Sequence, residues 1–310
     1  MGIRWKSLLL ALAVIVTGGA LRLPLEQRYT AEMRQQQLLQ TPLNLSLRDE
    51  LGQTFFIAVL GGFRSVVASI VELQTITPWQ YSNWGVVDEL YAICTKLQPR
   101  EEHYWEQRSW HLAANARDTY LFDSTLPEPT RVYLGQQQVE KGIAVLREGL
   151  QRLPDSWKLW ERLAWYSSNY NDAPDYAGAA EYYHKAWELS GRGVYRRLGG
   201  FQLCKVPGRE KEAWDALMEF YNSQSRLDRS ATVEVELLYL YFGRKLSKQY
   251  PDVKLPEELA RLVNPASVLT PEEQKRRDFL KARANERANP KGTRQHRPPQ
   301  VTSPNVPKLR

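Results

Sequence analysis

The chain is predicted to be all-α: a solenoid of helical hairpins, with a membrane or signal helix at its N-terminus and a disordered basic tail at its C-terminus. Three observations predict this. Runs of β-branched residues with a period of two are few, and no Asn-Gly or Asp-Gly hairpin turn separates such runs. Small and aromatic residues recur at helical spacing, as in AGAAEYYHKAWELS, where Ala179, Tyr183 and Ala186 fall on one face. Trp and Tyr are abundant, ten and sixteen against eight Phe, and their large apolar rings with polar tips suit packed helices near a surface.

Residues 1–22 read as an export segment. Arg4 and Lys6 precede an uncharged run from Ser7 to Leu21, the layout of a signal peptide. The run is fifteen residues, about 22 Å as a helix, whereas a usual membrane span needs roughly 20 residues. Trp5 can lengthen it at the interface, whereas Gly18 and Ala20 offer small residues to a signal peptidase. An uncleaved signal anchor is therefore expected ahead of a cleaved signal peptide, and a buried helix of a cytosolic protein comes third. By the positive-inside rule Met1 to Lys6 face the cytoplasm and the body is exported. The expected location is a bacterial inner membrane with the body on the periplasmic side, or the periplasm itself after cleavage. Residues 23–50, polar and Gln-rich, form a juxtamembrane stalk.

Residues 51–225 carry a weak internal repeat. In WKLWERLAWYSSNY, Trp160, Leu163 and Ala164 share a helical face, and NDAPDYAG supplies the turn into the helix of Ala179, Tyr183 and Ala186. The small residues let two helices approach, and the large ones fill the space left. Fragments of the pattern recur around Tyr91, Cys94 and Pro99, around Gly142, Leu146, Gly149 and Pro154, and around Tyr195, Leu198, Gly199 and Ala213. About four degenerate hairpins are expected, with DSTLPEPTRVYLGQ as an inserted loop between Pro99 and Pro154.

The set Trp160, Leu163, Ala164, Ala179, Tyr183 and Ala186 resembles the tetratricopeptide (TPR) repeat. The loop between the helices is about three residues longer than in the family, and Gly191 stands where the family often has Pro. Gly61, Gly62, Phe63 and Arg64, followed by Trp110, Leu112, Ala113 and Asn115, are similar to the front segment of certain membrane-anchored bacterial TPR proteins. By the family's register Lys158, Glu161, Trp165 and Asn169 point into a concave groove, with Trp110 on an earlier helix. The resemblance implies that this groove binds a protein or peptide.

Residues 226–288 are expected to cap the array, since a stacked repeat must cover its terminal face. They hold an apolar helix ending before Pro251, a short helix opened by Pro256, and a solvated helix with a capping box of Thr270 and Glu273. Residues 289–310, Pro-rich and without an acidic residue, are expected to be disordered. From Thr270 to Arg310 there are eleven Lys and Arg against four Asp and Glu, which accounts for the whole net charge of +7. On an exported body such a tail fits anionic lipid or cell-wall polymer; nucleic acid is not expected as a partner.

Chemistry-bearing motifs are sparse. His103, His111, His184 and His296 lack the i, i+4 spacing of a helical zinc site, no G-x-S-x-G elbow occurs, and neither LGGF is followed by Gly-Lys-Ser/Thr. No catalytic, metal or cofactor residue is assigned. Cys94 and Cys204 sit in apolar helical contexts and read as buried thiols, with a single disulfide as the alternative in an exported chain. The expected function is a membrane-tethered, non-catalytic scaffold for protein–protein interaction in the cell envelope. The alternative is a subunit or accessory factor of an envelope enzyme or of a structural membrane complex.

Overall fold

The structure is a computed structural model that describes residues 28–29, 62–170, 173–224 and 230–288. Among the described residues the protein is all-helical, with no strand. The expected anchor, nearly all of the stalk, Gly61 and the basic tail lie outside them. No helix among the described residues is long and apolar enough to cross a membrane. The chain divides into two compact units, Met1–Tyr104 and Trp105–Arg310.

The first unit is built on α1 (Arg64–Gln74), the short α2 (Ile76–Gln80) and α3 (Trp84–Leu97). Apolar side chains at helical spacing decide their pairing: Val67, Ala68 and Val71 of α1 pack on Val87, Tyr91, Cys94 and Leu97 of α3, with Tyr104. Asn83 starts α3 by accepting from the Val86 amide at 3.4 Å, which satisfies one of the first-turn donors. Glu72 ties the unit together, accepting from Tyr91 Oη at 3.5 Å and lying 2.6 Å from His103 Nε2. The unit boundary falls inside α4 (Glu102–Trp110).

In the second unit, α4 runs into a π-helical turn (His111–Ala116) and then α5 (Arg117–Phe122). The segment expected as an inserted loop is mostly helix instead. After a short link, Glu128–Arg152 forms the 25-residue α6. Its start is set by Pro127 at the cap and Pro129 in the first turn, where a missing N–H costs nothing and the fixed φ suits a helix. Gly142 then brings α6 against the π-helical turn. A Cβ there would lie 2.7 Å from Ala113 Cβ and 2.9 Å from the Ser109 carbonyl oxygen.

From here the chain advances one helix at a time: α7 (Trp157–Asn169), α8 (Tyr176–Ser190), α9 (Gly193–Leu203) and α10 (Glu210–Ser223). Each packs on its chain neighbours, and the short connections make consecutive helices antiparallel. Ala164, Ala179, Tyr183 and Ala186 form one buried cluster with Tyr195, and the Tyr183 and Tyr195 rings stack at 6.4 Å. Small residues at the crossing let α7 and α8 close on one another, and Tyr183 fills the remaining space. Gly191 ends α8 in the left-handed region, φ 67°, and donates its amide to the Trp187 carbonyl at 2.8 Å. A residue without Cβ meets that conformation at least cost, which explains glycine at this place.

The C-terminal elements close this core. The apolar helix expected up to Pro251 is broken: α11 (Ala231–Leu238) passes into a π-helical turn (Tyr239–Gly243), and Lys245 at φ 54° precedes the short α12 (Leu246–Gln249). After α13 (Glu257–Val263), the last helix, α14 (Pro271–Ala288), starts at the expected capping box. The Thr270 amide donates to Glu273 Oε2 at 2.9 Å, and the Glu273 amide donates back to Thr270 Oγ1 at 3.3 Å. However, α14 is not a freely solvated helix. Leu280 is fully buried in the core with Leu237, Leu238, Leu259 and Leu262. Arg276 pairs with the buried Glu234, and Arg287 donates to Glu236 at 2.9 Å.

Candidate partner-binding face

Helix α7 carries four of the five residues expected in the groove. Its first turn is capped by Ser156, which accepts from the Leu159 amide at 3.3 Å. Leu159, Leu163 and Tyr166 are buried with Trp105 and Leu146. That packing turns Lys158, Trp165 and Asn169 outward as exposed residues and leaves Glu161 half-buried. Trp165 is 39% exposed, and Trp110, at the end of α4, is 40% exposed with its ring 5.1 Å from His111.

Lys158, Glu161, Trp165 and Asn169 are thus brought onto one helix. Besides the buried packing on Trp105, an ion pair joins α7 to the helix of Trp110, Arg162 to Glu106 at 2.7 Å. Asn169 is partly engaged by its own helix: its side-chain amide donates to the Trp165 carbonyl at 3.1 Å and to Ser168 Oγ at 2.9 Å. Lys158 Nζ lies 5.9 Å from the centre of the Trp157 ring.

Glu161 has the distinctive electrostatics. Burial raises its carboxyl above the ordinary range, Arg162 pulls it back down, and Glu106 adds a further upward push. Burial and then the Glu161 charge also push the Tyr183 hydroxyl up. Helix α7 therefore presents an exposed lysine, a half-buried carboxylate and an exposed indole, and a second exposed indole stands at the end of α4.

Two neighbouring features were not anticipated. The Arg162–Glu106 pair joins residues 56 apart in sequence, and no local spacing signals it. The Arg192 guanidinium lies 4.4 Å over the Trp157 ring, and the Tyr195 ring, tilted by 40°, is 5.7 Å from it. Its clue was the density of aromatic and basic residues in GRGVYRR, just after α8. His111 is buried and lies 3.0 Å from the Asn115 side-chain amide within the π-helical turn. Among the described residues no group of three or more His, Cys, Asp or Glu is placed to hold a metal ion.

Cavities lie elsewhere in this unit. One of about 280 Å³ is lined by His184, Arg196 and Arg209 with Glu181, Glu212 and Asp215, whose charges are largely tied up in ion pairs at 2.5–3.2 Å. Another, of about 480 Å³, lies between the π-helical turn at Tyr239–Gly243 and α14 and is lined by Leu238, Phe242, Val263 and Ala284. None of the five expected residues lines either. No known family model matches the chain, and no curated protein matches it significantly.

Proposed function

We propose that the protein is a membrane-tethered, non-catalytic scaffold whose TPR-like α-solenoid presents α7 and the end of α4 to a protein or peptide partner. The N-terminal segment acts as the tether and holds the body on the exported side, and the basic tail contacts anionic lipid or cell-wall polymer. The observation that carries the reading is the pair Trp110 and Trp165. Both rings are open to water although their own helices are otherwise anchored by buried residues, Trp105 on α4 and Leu159, Leu163 and Tyr166 on α7. Trp is among the residue types enriched at interface hot spots. The successive packing of α7 to α10 through small residues supports the solenoid reading, because stacked hairpins build extended binding surfaces.

The test is co-purification after crosslinking in membranes, comparing the native chain with Trp165→Ala and Lys158→Glu. Trp165→Ala is expected to weaken a defined partner by about 2 kcal/mol, roughly 30-fold, while the far-ultraviolet spectrum stays unchanged. If the captured set is identical for the native chain and both variants, the α7 face is not the binding surface.

A further inference from the structure

Helix α1 is apolar around more of its circumference than α3 covers. Val67, Ala68 and Val71 are buried, yet Phe63, Val66, Ile70 and Leu73 stand open, Phe63 at 59% and Leu73 at 65% exposure. At 3.6 residues per turn these four fall within an arc of about 80° beside the buried one. The helix's own charges lie off this stripe, and Glu72 is engaged by Tyr91 and His103. Just beyond, Ile76, Trp79 and Tyr81 are exposed as well, Tyr81 at 80%. An amphipathic surface helix shows one apolar face. A second, uncovered one marks a contact surface.

We propose that this face of α1, with Ile76, Trp79 and Tyr81, lies in the surface of a lipid bilayer. The inference rests on the tethered reading above and adds a second membrane contact to it. Forty residues separate Leu21, the end of the uncharged run, from Gly62, so the tether leaves α1 within reach of the bilayer. Being 11 residues long, α1 measures about 16 Å, well short of a roughly 30 Å hydrocarbon core, so it lies in the plane rather than across it. Trp79 and Tyr81 are the residue types that settle where apolar and wet surroundings meet. No hydrogen-bonding side chain interrupts the stripe Phe63, Val66, Ile70 and Leu73, as an apolar face set into the boundary of a bilayer requires.

The experiment places the photocrosslinker p-benzoylphenylalanine at Leu73, or at the exposed Ser65 as a control. The full chain is reconstituted in phosphatidylethanolamine–phosphatidylglycerol proteoliposomes, and carbonate extraction is run in parallel. Both positions are exposed, so neither replacement disturbs the core. Lipid adducts from position 73 and not from position 65 are the expected result. Adducts to a second copy or to another part of the same chain, or none at all, overturn the proposal. If the chain resists carbonate but position 73 gives no lipid adduct, the bilayer contact of α1 fails and the tether stands. If carbonate strips the chain from the vesicles, the tethered reading itself fails.

Discussion

Glu161 feels both members of the Arg162–Glu106 pair, and burial holds its carboxyl above its ordinary value of 4.5. The folded chain therefore keeps this proton to higher pH than the unfolded chain does. Stability contributed by the group is full below 4.5 and is lost as pH rises through the folded value. Glu161→Gln removes the ionisation and is expected to raise the urea midpoint at neutral pH, with the gain vanishing below 4.5. A lower midpoint at neutral pH would show that Glu161 is held by attraction rather than penalised by burial. The thiols make a second prediction at this scale. Burial, with the charge of Glu72, pushes Cys94 up to about 12, and burial beside Glu236 pushes Cys204 up further. Both are free and buried. Since the thiolate is the reactive form, neither should react with a disulfide reagent in the native protein, and both should do so in urea.

Among the helices, α6 shows how much one contact can govern. Its length was hidden in the sequence by Pro127 and Pro129, which suggest a loop when read alone and a helix start when the following 23 residues are seen to pack. The π-helical turn at His111–Ala116 was equally hidden, and it is the place where Gly142 of α6 comes close to Ala113. Alanine ordinarily favours a helix over glycine by about 1 kcal/mol. At position 142, however, the new methyl group meets the Ser109 carbonyl oxygen as well as Ala113. Gly142→Ala is therefore expected to destabilise the protein by about 1–3 kcal/mol, measured by urea unfolding. A stabilised variant would mean that α6 can shift away without loss.

For the molecule as a whole, α14 is the test of how the second unit is closed. Removing it by truncation after Leu269 takes Leu280 out of the core and strips Arg276 from Glu234 and Arg287 from Glu236. Uncovering Leu237, Leu238, Leu259 and Leu262 exposes apolar surface that α14 keeps from water, so the truncated chain should melt without a cooperative transition and self-associate on gel filtration. A sharp, monomeric melt would show that α14 is an accessory. By itself the sequence determined the helical class, the positions of Ala164, Ala179, Tyr183 and Ala186 at one crossing and the capping box at Thr270. All of these follow from spacing along one helix or between adjacent helices. Only the tertiary structure decided that α14 docks rather than floats, that Arg162 meets Glu106, and that α1 keeps a second apolar face uncovered. Those outcomes join residues far apart in the chain or depend on which faces neighbouring helices leave open, and helical periodicity carries no record of either.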